Sequence, residues 1–158
     1  MRRNVPTRGK NHVIRTCLLA ALLVGSRSAP RISAQTAESY RQRATELSRA
    51  KSWDDAIANY RNALALEPKD AVTHYDLALA LKYKGETREA LKEFEAALEL
   101  RPKWADAHYG LGAVWYDLQN QTAAMKELRT TEALDPLNAA THRLLARILA
   151  QQNNLADA

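Results

Sequence analysis

The chain of 158 residues has one cysteine, five glycines, five prolines and only 6% aromatic residues. A single cysteine, Cys17, closes no internal disulfide, so whatever holds the fold together is packing. Glycine and proline this sparse exclude collagen-like and low-complexity chains and disfavour a turn-dense all-β domain. A Gly-rich phosphate loop, a cysteine pair and a G-x-S-x-G segment are also missing, and the carboxylates are scattered along helical surfaces. Glu89 and Glu93, for instance, sit beside Arg88 and Lys92 and read as a solvated face. Without a convergent titratable constellation, no enzyme, cofactor site or metal site is expected. What is present, 46% apolar residues at this length, suits one folded domain.

Acid is missing from one region only. Residues 1–34 hold seven basic residues (Arg2, Arg3, Arg8, Lys10, Arg15, Arg27, Arg31) and no Asp or Glu. The remaining 16 Lys and Arg stand against 18 acidic residues, a balance of −2, so the overall +5 is no footprint of nucleic-acid binding. Within that segment a basic stretch ends at Arg15, an apolar run follows from Cys17 to Val24, and small and polar residues lead to Ile32-Ser33-Ala34-Gln35. This order is that of a secretory signal peptide, with cleavage expected after Ala34 and Ser28 as the other candidate. An organelle transit peptide is the alternative, though the apolar block is too clean for an amphipathic helix. As a helix the run rises about 13 Å against a hydrocarbon core of about 30 Å, too short for a stable membrane span. The expected location is therefore export, periplasmic or extracellular, after removal of residues 1–34.

Beyond that segment the chain repeats itself. The strings YRNALALEPKD, FEAALELRPKW and LRTTEALDPLN end around Pro68, Pro102 and Pro136, spaced by 34 residues each time. In the same register small residues recur as Ala44, Ala78, Gly112 and Ala146, as Ala56, Ala90, Ala124 and Ala158, and as Ala63, Ala97 and Thr131. Small residues at fixed places mean closely packed backbones. Within the second unit His74, Leu77, Ala78 and Leu81 follow i, i+3, i+4, i+7, as do Ala90, Leu91, Phe94, Ala97 and Leu98 after a break at Gly85-Glu86. The other breaks fall at Lys51-Ser52 and Gln119-Asn120, and each proline closes a second helix. A lone hairpin cannot bury its stripe, so the units must stack.

The segment HYGLGAVWYDL from His108 to Leu118, followed by Ala124, Leu128 and Pro136, closely resembles the tetratricopeptide repeat. The resemblance covers about residues 37–158 and implies an all-α, right-handed α-solenoid of three full repeats (35–70, 71–104, 105–138) and a partial fourth or capping helix (139–158). Two departures stand out. Arg43 replaces the Leu77, Leu111 and Leu145 column, which suits a wetter first helix, and Glu132 replaces the Leu64 and Leu98 column, which predicts looser packing of the third unit's second helix.

His74, His108 and His142 recur at the same spacing and could be imagined as a metal ladder. Stacked helices stand about 8 to 10 Å apart, whereas ligands converge within about 2 Å of one ion, so these histidines are read as packing residues.

The second face of each first helix is more informative. By i, i+4, i+7 it groups Arg41, Thr45 and Ser48; Tyr75, Leu79 and Lys82; Tyr109, Ala113 and Tyr116; and Arg143, Arg147 and Ala150. In the family resembled, this set lines a concave groove that holds extended or helical peptides. Arg41, Thr45, Tyr75, Leu79, Lys82, Tyr109, Ala113, Tyr116, Arg143 and Arg147 are therefore the candidate protein-binding set, with tyrosines packing merely between neighbours as the alternative. One branch of the family clamps a C-terminal carboxylate with Lys, Asn and Arg. Here Asp76, Asp106 and Gly110 occupy such positions, so the resemblance does not extend to that clamp. The expected function is a non-catalytic scaffold for a protein or peptide of the cell envelope; the alternative is a fragment or subunit of a larger assembly factor or multidomain enzyme. At the C-terminal end a helix from about Ala139 to Gln152 is expected, with a break at Asn153-Asn154. It either caps the array through Arg143, Arg147, Gln151 and Gln152 or leaves an open end that self-associates.

Overall fold

The computed structural model describes residues 36–156, in which seven α-helices follow one another: α1 (Ala37–Arg49), α2 (Trp53–Leu66), α3 (Ala71–Lys84), α4 (Thr87–Leu100), α5 (Ala105–Asp117), α6 (Gln121–Leu134) and α7 (Ala139–Ala156). The expected signal peptide and its cleavage site lie outside the described residues, as does Ala158.

Local chemistry sets the helix ends. Thr36 and Ser39 cap α1 reciprocally: the Ser39 N–H donates to Thr36 Oγ1 at 3.1 Å and the Thr36 N–H to Ser39 Oγ at 3.0 Å. The Asp70 carboxylate receives the Val72 N–H at the start of α3. At the hairpin turns the N–H groups of Ser52, Glu86 and Asn120 reach back to the carbonyls of Leu47, Leu81 and Trp115, each at 2.9 Å. That bond requires a left-handed residue just before it, supplied by Lys51 (φ 59°), Gly85 (φ 93°) and Gln119 (φ 61°), three positions 34 residues apart. The second helices stop at Leu66, Leu100 and Leu134, because the residue preceding each proline is pushed out of the helical region.

Helices α1 and α2, α3 and α4, and α5 and α6 pair as hairpins, and α2 meets α3, α4 meets α5, and α6 meets α7. First helices also touch each other, α1 with α3 and α3 with α5, forming an inner layer. Ala44, Ala78, Ala56, Ala90 and Ala124 are fully buried, as the register of small residues requires. Between them sit Leu77, Leu81, Phe94, Val114, Leu128 and Ile148. Arg43 is exposed where Leu77 and Leu111 are buried, which leaves α1 the wetter end.

Three expectations are corrected. Helix α7 runs through Asn153 and Asn154 to Ala156 without a break, since neither residue removes a backbone donor. Ala146 is exposed although its column is buried elsewhere, because no second helix packs on that side of α7 among the described residues. Glu132 does not loosen α6, which buries Ala124, Leu128 and Thr131 much as α4 buries Ala90, Phe94 and Ala97. The column is half-buried in every unit, so the glutamate reaches the rim, 3.4 Å from His142 Nδ1.

Candidate functional site

The inner faces of α1, α3, α5 and α7 carry the expected binding residues, which separate into two groups. At the α1–α3 end Arg41 and Thr45 share a pocket of about 470 Å³ with Asp76, and Thr45, Leu79 and Asp76 share another of about 280 Å³ with Trp53 and Tyr83. At the α5–α7 end Tyr109, Arg143 and Arg147 line a smaller cavity of about 130 Å³. None of these three pockets joins all of them.

Several members are already engaged. Arg41 pairs with Glu38 and, at 2.5 Å, with Asp70 Oδ2, and these two carboxylates raise its pKa. Burial opposes ionisation of Asp70, yet hydrogen bonds from Thr73 Oγ1, Arg41 and the Val72 N–H hold its carboxyl below the usual value. Lys82 Nζ stands 3.7 Å from Asp117 Oδ2 and 5.7 Å from the Tyr83 ring centroid. Tyr116 accepts a hydrogen bond from Gln151 of α7 at 3.0 Å. Tyr75 meets the edge of Phe94 at 5.7 Å between centroids and lies 4.5 Å from Trp104, and burial pushes its hydroxyl up to about 12. It therefore packs on Phe94 of α4 and on Trp104 at the head of α5, and lines none of the three pockets above. Ala113 is half-buried against the C-terminal cluster, whereas Arg143, Arg147 and Ala150 are exposed.

Asp76 is the residue that sequence reasoning passed over, having weighed it only as a departure from a basic clamp. It faces both α1–α3 pockets, and burial pushes its carboxyl up to about 6, with Asp70 adding to the shift and Arg41 opposing it. Its signal in the sequence is a lone acid in a column otherwise made of Gln42, Gly110 and Leu144. Trp53, Tyr60 and Tyr83, the aromatic walls of the smaller pocket, were likewise missed: the first two come from α2, and Tyr83 follows Leu79 by one turn of α3 outside the i, i+4, i+7 set.

The three repeating histidines are staples. His74 reaches Glu93 Oε2 through Nδ1 at 2.7 Å and the Pro68 carbonyl through Nε2 at 3.1 Å, and His108 repeats this with Glu127 at 2.8 Å and Pro102 at 3.0 Å. His142 Nε2 meets the Pro136 carbonyl at 2.8 Å. Both ring nitrogens are thus occupied by protein groups, and no cluster of three metal-ligating side chains exists among the described residues. Nor is any described helix long and apolar enough to cross a membrane.

A family model described as tetratricopeptide repeat matches residues 75–138, and another, described as TPR repeat, matches residues 49–85. No curated protein sequence matches the chain. Among solved structures it is similar to the first TPR of Spaghetti (RPAP3) bound to an HSP90 peptide, with 20% identity, TM-score 0.73, and 78% of this chain and 98% of that one covered. It is also similar to the Sgt2 TPR domain from Aspergillus fumigatus (18%, TM-score 0.72, 77% and 82% covered) and to YrrB, a TPR protein with an unusual peptide-binding site (22%, TM-score 0.69, 73% and 60% covered). At these identities the likeness speaks for the fold. With the 34-residue period, the repeated left-handed turns and the family matches, the chain belongs to the tetratricopeptide-repeat family.

Proposed function

We propose that this protein is an exported, non-catalytic scaffold that holds a peptide or protein of the cell envelope against the inner layer of α1, α3, α5 and α7. The observation that carries the reading is the pair of open pockets at the two ends of that layer, lined by side chains that the core does not consume, Thr45 and Asp76 at one end and Arg143 and Arg147 at the other. The similar Spaghetti domain, solved with an HSP90 peptide, supports peptide binding on this architecture. A pull-down from an envelope fraction with residues 35–158 tests it. Tyr109→Ala combined with Arg147→Ala should weaken the recovered partner about tenfold or more if these side chains anchor it. Equal affinity for the double variant would move the interface to the convex side or the ends.

Export rests on the basic, apolar, small-residue order of residues 1–34. Intact mass of the periplasmic or secreted protein should correspond to loss of that segment; full-length chain recovered from the cytosol alone would overturn it. A second reading, a subunit docked into a larger assembly or onto itself, is favoured by α7, where Ala146 and Leu149 are exposed on the side that receives a second helix in the preceding units.

A further inference from the structure

We infer that the α1–α3 crevice is a subsite for a cationic side chain, a lysine or arginine of the bound peptide, with the Asp76 carboxylate as its counter-ion. The inference rests on the peptide-binding reading above and specifies its chemistry at one end of the groove. Asp76 has no hydrogen bond or ion pair among the described residues, and Arg41, the cation whose charge acts on it, is committed to Glu38 and Asp70. A carboxylate drawn out of water and left unpaired costs stability, which its raised pKa reflects. An incoming cation recovers that cost.

The rest of the pocket fits the same ligand. Thr45 Oγ1 donates its proton to the Arg41 carbonyl at 3.0 Å. Ser48 Oγ lies 3.5 Å from Tyr60 Oη as a donor, and Tyr60 Oη is 3.4 Å from Thr45 Oγ1. The hydroxyl protons are thus directed at protein groups: with its own proton on the Arg41 carbonyl, Thr45 Oγ1 accepts from Tyr60 Oη, which leaves one lone pair of Thr45 and those of Ser48 for a ligand that brings donors. Ammonium and guanidinium groups bring donors only. Leu79 and the stacked pair Trp53 and Tyr83, with centroids 5.3 Å apart, supply apolar wall for the aliphatic stem. The charged groups around the crevice are Glu38, Arg41, Glu46 and Arg49 from α1 and Asp70 at the head of α3. Arg49 lines both pockets without an ion pair, and its positive charge opposes an arriving cation.

The test is an NMR titration of the isotopically labelled full chain with four capped amino acids: Nα-acetyl methylamides of arginine, lysine, norleucine and glutamate. Saturable amide shifts around Ser48, Asp76 and Tyr83 are expected for arginine and lysine, weaker by at least about fivefold in Asp76→Asn and stronger in Arg49→Gln. Tyr83→Ala, an exposed position whose loss leaves the fold intact, should also weaken them, which keeps the test decisive if Asp76→Asn fails to fold. Equal binding of norleucine, preferred binding of glutamate, or indifference to Asp76→Asn and Tyr83→Ala would overturn the inference. A partner recovered by pull-down that still needs Tyr109 and Arg147 but ignores Asp76 would overturn this subsite while leaving the scaffold reading standing.

Discussion

Gly110 on α5 yields its side-chain space to the ring of Phe94 on α4: a Cβ at that position would stand 2.5 Å from Phe94 Cζ. Phe94 is fully buried and held edge-on by Tyr75, so the ring has nowhere to retreat. Gly110→Ala should therefore cost about 1 to 3 kcal/mol in urea unfolding. In a Phe94→Leu background the same substitution should cost markedly less, because the smaller side chain vacates the site. Equal costs in the two backgrounds would mean that the helix backbone, rather than the ring, meets the methyl group.

The hairpin turns offer a contrast within one chain. Gly85 has open space around its Cα and a φ of 93°, so Gly85→Ala should lose roughly 1 kcal/mol through backbone conformation alone. Lys51 and Gln119 already bear that strain at the equivalent turns. Replacing either with glycine should gain up to about 1 kcal/mol, reduced by the greater freedom of glycine in the unfolded chain. Thermal melts of the three variants check both signs.

Asp76 makes stability depend on pH. Its folded value of about 6 lies above its ordinary 3.8, so folding favours the protonated form. The associated stability is complete below about pH 4 and is lost as pH rises through 6. Asp76→Asn should match the parent protein at pH 4 and exceed it at pH 7 by about 1 to 2 kcal/mol, a figure held down because the carboxyl keeps part of its contact with water. Urea midpoints at the two pH values measure this. A difference of the opposite sign would mean that the carboxylate has a cationic partner in solution.

Helix α7 leaves Leu149 46% exposed while Ile148 beside it is fully buried. Light scattering across a range of concentrations should reveal a dimer that Leu149→Lys abolishes while circular dichroism remains unchanged. A strict monomer at all concentrations would assign the face to a different partner or to water.

How much of this was legible beforehand depends on the range of the interaction. From α1 to α6 helix ends, turns and packing columns were readable because they obey local rules: a proline ends a helix near its own position, and an i, i+4 stripe marks a face that a neighbouring helix covers. Helix α7, where no proline follows and no second helix covers Ala146 among the described residues, departs from both readings. The candidate site was legible only as a face. Periodicity groups Arg41 and Tyr75 with their faces of the first helices, but it could not say that Arg41 would be spent on Asp70, 29 residues away, or that Tyr75 would lean on Trp104.

The 34-residue period, the ends of the helices that a proline or a hairpin break closes, the turn positions and the columns of small residues follow from residue types and their spacing, since each is set by backbone geometry within a few neighbours. The tertiary structure alone decided which charges are paired, which histidine nitrogen meets which glutamate and which aromatic rings close a pocket. Those outcomes depend on side chains from different helices competing for the same few ångströms. Arg41 turning to Asp70 and Glu38, rather than to Asp76, is the choice that left a carboxylate unpaired in the groove.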